Sequence, residues 1–499
     1  LKEYAVFRNP VVIAILDILK PVWVIDYVIK LMNWDRETYL PTNGLEDRVF
    51  VIDQLSLIKH RILMSNELET LVRKALKEPL NDFEKGVVRL LLRDIRFTKS
   101  IPLKVLRELN RVRHEARRAW EVARARSDYA VFKPYLDKLL DLQRLVTEYL
   151  DYEHHPYDAL LDLYEEGLNT LVMDSIVNEL RSKLVCLVNK LRNSDYVRDV
   201  KLIKSRTRED LIKEFITELL TKLGLPLGSR ARIDFSKNIF MIPLSSNDVR
   251  IIIKVTGDLR SNVLSTLHEF GHALYELLID QRLSRTPIAV GASVGIHEGI
   301  AKFWDSVIGR SRCFLEWIRS VLLKYFSELS RFSNDDLYLY FNQIIISPTR
   351  VLSDEVTNNI HMIIRYEVEK RLIEGSLSTD ELPQYWSDLY DELLGVRPKD
   401  VREGVLHDIH WSLGYFGYLP TYLVGNLVAT QLKHAFESRY SEICNYISNG
   451  GLDTITAFLR DSICRWGATY SPKELLERAF GEYVNPKYLI DYLETKYLT

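Results

Sequence analysis

The chain has 499 residues, 47% hydrophobic and 27% charged, which is an ordinary globular composition with apolar material for a large core. Its 67 basic and 69 acidic residues give a formal net charge of -2, so there is no electrostatic footprint for nucleic acid or an anionic membrane. The four cysteines, Cys186, Cys313, Cys444 and Cys464, are far apart and form no CxxC pair. This pattern predicts no disulfide framework and no thiolate metal site, and it fits a reducing cytoplasm.

The apolar stretch over residues 10–31 is interrupted by Asp17, Lys20, Pro21 and Asp26. It is too charged to span a membrane or to act as a secretory signal, and it reads as a core helix. Leu139, Leu140, Leu142, Leu145, Val146, Tyr149 and Leu150 recur at helical spacing, as do the apolar residues of 176–191 and 211–223. One stretch reads as strands: residues 233–255, with Ser245–Asp248 as the turn. Pro and Gly are scarce, at 16 and 21, and there is neither a linker nor a repeat. The expectation is a single domain over 1–499, mainly α. Residues 1–230 form a helical N-terminal half, and 231–499 a second half with a small sheet.

That sheet leads into Thr266-Leu267-His268-Glu269-Phe270-Gly271-His272, an HExxH motif. On a helix, His268 and His272 lie one turn apart on one face, where both imidazoles can bind one zinc ion at about 2.0–2.1 Å. Glu269 sits where it can take the proton of a zinc-activated water. The bland alternative is two surface histidines beside an incidental glutamate. Against it stand the strand before the motif, the apolar helix around it, and Gly271 in mid-helix, which costs about 1 kcal/mol relative to Ala and calls for a packing reason. Glu298, reached by a second helix after a loop, is the best third ligand. His297 competes with it, and Glu276, on the motif helix itself, suits a supporting or a solvent-facing place better.

Several blocks together resemble one family. Asn33–Pro41 resembles a WDxETYMP segment, and Pro156–Leu161 with Gly167 matches a second block. Gly291–Glu298 matches the stretch bearing the third metal ligand. His361–Tyr366 matches HxxxR followed by an aromatic, Gly404–Trp411 matches GxxQDxHW, and Gly417–Tyr422 follows. The chain is identified as a member of the Taq-type thermostable carboxypeptidases. The resemblance implies a helical saddle or clam-shell with a deep active-site groove, usually a homodimer, that releases single C-terminal residues with broad specificity. It implies one zinc per subunit on His268, His272 and Glu298, with Glu269 as base; cobalt suits the same donors. By family match, Arg350 and Arg365 bind the substrate carboxylate, and His361, Asp248 and Arg250 are further substrate contacts. His410 and Tyr418, in a Gly- and aromatic-rich segment, are the best donors to the oxyanion. The family's polar pattern is broken at Asn238, Ile252, Ile300 and His407. Two other readings remain open: an endo-acting zinc oligopeptidase, and a helical peptide-binding protein with weakened catalysis.

Overall fold

A computed structural model describes residues 4–197 and 208–498. Helices dominate, with the small sheet placed immediately before the motif helix, as the apolar periodicities predict. The helix Pro10–Thr38 runs through Pro21 and buries Val12, Ile15, Leu16 and Leu19. It starts where the Asn9 side chain accepts hydrogen bonds from the Val11 and Val12 amides, with Pro10 at its first position. The helix Tyr129–Leu150 buries Leu136, Leu139, Leu140, Val146 and Leu150, one face of the predicted stripe.

The sheet has the order β1-β3-β2, with β1 Ala231–Phe235, β2 Phe240–Ser245 and β3 Asp248–Ile253. β2 and β3 form the expected hairpin, and β1 adds to β3 in parallel. The central strand β3 buries Val249, Ile251, Ile252 and Ile253. Pro243 lies beside a register irregularity in the outer strand β2, where a missing amide is tolerated.

The described residues form two compact units, each built from three segments. The first, within residues 1–98, 201–341 and 432–483, contains the sheet and the HExxH helix; the second lies within 99–200, 342–431 and 484–499. In the first unit Cys313 and Cys444 form a disulfide, their Cα atoms 5.5 Å apart. This corrects the expectation of no bridge. The two residues are 131 positions apart, and sequence spacing carries no signal for a pair that only tertiary folding brings together. Cys186 and Cys464 are free. No helix among the described residues is long and apolar enough to cross a membrane.

Candidate metal centre and carboxylate-binding cluster

The motif helix spans Leu259–Leu278, and Asp258 caps it by accepting a hydrogen bond from the Ser261 amide. The next helix, Val294–Lys302, is capped by Ser293 and crosses against it. Gly271 makes the crossing close: a Cβ there would lie 2.6 Å from Ala301 Cα and 2.9 Å from the Ile300 carbonyl oxygen. Only glycine permits that approach, and it brings Glu298 opposite the two histidines. His268 Nε2 and His272 Nε2 are 3.1 Å apart. The Glu298 oxygens lie 3.7 Å from the first and 3.6 Å from the second. One ligand atom from each residue lies within 4.8 Å of the others, and no other such trio of His, Cys, Asp or Glu occurs among the described residues.

The outer ring nitrogens are already committed. His268 Nδ1 is 2.8 Å from Asp305 Oδ2, which also accepts from Lys302 Nζ at 3.1 Å. His272 Nδ1 is 2.6 Å from His297 Nδ1, and His297 Nε2 is 3.1 Å from Glu276 Oε1. A His297 that donates from Nε2 to Glu276 accepts at Nδ1, so His272 donates from Nδ1. Both ligand histidines turn Nε2 inward toward Glu298 and anchor Nδ1 outward, the orientation a metal requires. The donor set of two imidazoles and one carboxylate fits a divalent metal. His297 lies behind His272 rather than in the trio, and Glu276 is buried in a supporting place rather than facing solvent.

Burial pushes the Glu269 carboxyl up to about 7, with the neighbouring histidines acting against the rise. Its Oε2 has no hydrogen-bond partner. Asp305 is held at the other extreme: Lys302 and His268 outweigh its burial and keep it ionised. Asp305 sits in a π-helical turn, Phe303–Ile308, which continues the Glu298 helix. Sequence reasoning missed it, because a π-turn shifts side-chain phase without a compositional mark.

The second unit gathers the other predicted residues around Asp408. Arg350 donates to Asp408 Oδ1 from Nε at 3.0 Å and Nη2 at 2.8 Å. Arg365 donates from Nε to Oδ2 at 2.6 Å, and from Nη1 to Tyr390 Oη and the His361 carbonyl. His361 Nδ1 meets the same Tyr390 hydroxyl at 2.7 Å. Burial acts against the Asp408 charge, but the two guanidiniums hold its carboxyl well below the usual carboxylate range. Burial drives His410 down to about 4, so its ring is neutral, and it stacks on Tyr418 with centroids 5.8 Å apart. The pairing of both arginines with one aspartate was not foreseen from the sequence.

Asp248 and Arg250 lie on β3 in the first unit. Arg250 donates twice to Asp248 and lies over the Trp34 ring, 4.2 Å from its centroid. Trp34 Nε1 and Tyr39 Oη donate to Asp234 on β1, which docks the 33–41 block on the sheet. Of the departures from the family pattern, Ile252 and Ile300 are fully buried and Asn238 donates to Glu37. None of these three removes a member of the histidine–glutamate trio.

A helical body carrying an HExxH helix, with a glutamate delivered by the next helix, defines a metallopeptidase. The family described as carboxypeptidase Taq (M32) metallopeptidase matches residues 14–497. The chain belongs to this family and is a metallocarboxypeptidase. It is 39% identical to thermostable carboxypeptidase 1 of Pyrococcus furiosus over 496 residues, 99% of each chain. It is 34% identical to carboxypeptidase 1 of Bacillus subtilis over 485 residues, 96% of this chain and 97% of the relative. Superposed on the solved carboxypeptidase of Pyrococcus furiosus it gives a TM-score of 0.97, covering 99% of this chain and all of the other.

Proposed function

We propose that the chain is a zinc carboxypeptidase that releases C-terminal residues from peptides with broad specificity, one zinc per subunit held by His268, His272 and Glu298. The observation that carries this is the pair of inward Nε2 atoms, 3.1 Å apart before a carboxylate, with both outer nitrogens occupied. When bound, zinc supplies Lewis acidity toward a water molecule and the scissile carbonyl. Glu269 takes the water proton and delivers it to the departing amine, a task suited to a carboxyl near 7 with a free oxygen. The whole chain acts as one peptidase domain.

Arg350 holds the substrate's terminal carboxylate. Asp408 carries one negative charge against two guanidiniums, so the cluster keeps a net positive charge. Arg365 is fully buried and fixes Asp408, with His361 and Tyr390 behind it. The exposed edge of Arg350 is left for the peptide. Neutral His410 and Tyr418 donate to the developing oxyanion, and Asp248 with Arg250 contacts the peptide further along.

The helix Leu45–Leu63 supports a homodimer. It buries none of its residues and exposes Leu45, Val49, Phe50, Leu57 and Ile58, an apolar face suited to a second copy. We read the location as cytoplasmic. Together with the disulfide this implies a heat-adapted cell, since intracellular bridges are common in hyperthermophiles.

Metal analysis combined with mass spectrometry of peptide digests tests the reading. One zinc per chain and stepwise loss of C-terminal residues are expected, with C-terminally amidated peptides spared. Equal cleavage of amidated and free-acid peptides would replace it with an endo-acting oligopeptidase.

A further inference from the structure

The first unit encloses a cavity of about 370 Å³, bordered by the helix Pro10–Thr38, strand β2 and the loop of residues 284–290. Leu19, Val22, Leu91 and Leu244 form apolar walls, and Trp23 and Tyr27 lie along one side with rings 5.5 Å apart. The volume suits one small organic molecule and exceeds what a single water fills.

Charges around this space fall into two sets. Asp26 and Asp94 both face Lys59: its Nζ lies 2.6 Å from Asp26 Oδ1, and with Arg93 it acts on the Asp94 carboxylate. Burial pushes the Asp94 carboxyl up, and Lys59 and Arg93 only partly offset it. An ammonium in the cavity would meet both carboxylates. Arg285 and Lys30 line the same cavity with no acidic partner among the described residues. The Arg285 guanidinium lies over Trp23, 5.5 Å from the ring centroid, and its backbone is held at φ +64°. That left-handed conformation is strained for a bulky residue, and such strain tends to mark functional loops. Glu276, whose carboxylate holds His297 against His272, also borders the cavity.

We propose that this cavity binds a free apolar amino acid, the zwitterion that the chain's own reaction releases. Its ammonium meets Asp94 and Asp26, its carboxylate meets Arg285 and Lys30, and its side chain lies on the Trp23–Tyr27 wall. The source of the ligand rests on the carboxypeptidase reading; the site does not. Because Glu276 borders the cavity, occupancy alters the support of His272, and the released amino acid damps turnover without competing with peptide.

Calorimetric titration of the metal-loaded full chain tests this with L-leucine, isocaproate and isoamylamine. Leucine is expected to bind, and each single-charge analogue to bind at least about tenfold more weakly. Arg285→Ala and Asp94→Asn should each weaken leucine binding about tenfold while basal peptide release stays unchanged. Lys30→Met gives a further test should either variant fold poorly. Arg350→Ala should leave leucine binding intact, and inhibition by leucine should be non-competitive. Leucine binding lost in Arg350→Ala but kept in Arg285→Ala, purely competitive inhibition, or no binding at millimolar leucine would each overturn the proposal. Failure of the carboxypeptidase reading would show separately, as no C-terminal release from any peptide.

Discussion

Glu269 is buried with one carboxylate oxygen unpartnered, while the neighbouring His268 and His272 rings have their outer nitrogens engaged. An unsatisfied buried polar atom costs about 1–3 kcal/mol, so it persists where something is meant to arrive. If that is the attacking water, Glu269→Gln should keep full metal content and lose turnover by several orders of magnitude, because an amide cannot accept the proton. Metal analysis beside peptide-release rates checks both halves; turnover near that of the unmodified chain would end the general-base assignment. Arg350 gives a second residue-scale prediction. Arg350→Ala should raise the barrier for free-acid peptides by roughly 2–5 kcal/mol, the range for removing one partner of a buried charge pair. Arg350→Lys should recover little, since an ammonium lacks the planar fork. Amidated peptides serve as the control, because misfolding would depress both classes. Arg365→Ala should instead lower the melting temperature, since it strips Asp408 of its buried partner.

At the scale of elements, the decisive contact is between the motif helix and the helix of Glu298. An exposed Gly→Ala change in a helix gains about 1 kcal/mol. At Gly271 the sign reverses, because the new methyl group would lie 2.6 Å from Ala301 Cα and the helices must part. Gly271→Ala should therefore lower both melting temperature and metal affinity, read by calorimetry and by metal retention on dialysis; an unchanged affinity would mean that this crossing does not set the trio. The same pair of helices shows what a sequence can and cannot reveal. The HExxH turn, the apolar stripe and the mid-helix glycine are local, and they are legible as periodicity and as a broken propensity rule. Glu298 is legible because only one loop separates it from the motif. Asp305 is not, because a π-turn rotates it toward His268. The Asp408 clamp is not either, because Arg350 and Arg365 reach it across 58 and 43 residues. The strand β1 is legible, but its parallel pairing is not, for a similar reason: its partner β3 lies beyond an intervening hairpin strand.

For the whole molecule, the Cys313–Cys444 bridge is the one covalent tie between distant segments among the described residues, joining the helix Arg312–Tyr325 to the helix Ile443–Ser448 within the first unit. It closes a loop of 131 residues. In the chain-entropy account such a loop stabilises by about 5 kcal/mol, by restricting the unfolded chain. Neither cysteine belongs to the histidine–glutamate trio or the Asp408 cluster, so the effect should fall on stability and not on chemistry. The double variant Cys313→Ser with Cys444→Ser should melt several degrees lower and inactivate faster on heating, with unchanged peptide release at moderate temperature. Reductant should reproduce the shift in the unmodified chain and add nothing in the variant. Thiol titration of the denatured, unreduced protein should find only Cys186 and Cys464. Reaction of all four cysteines would mean that the bridge does not form, and the stability difference should then vanish with it.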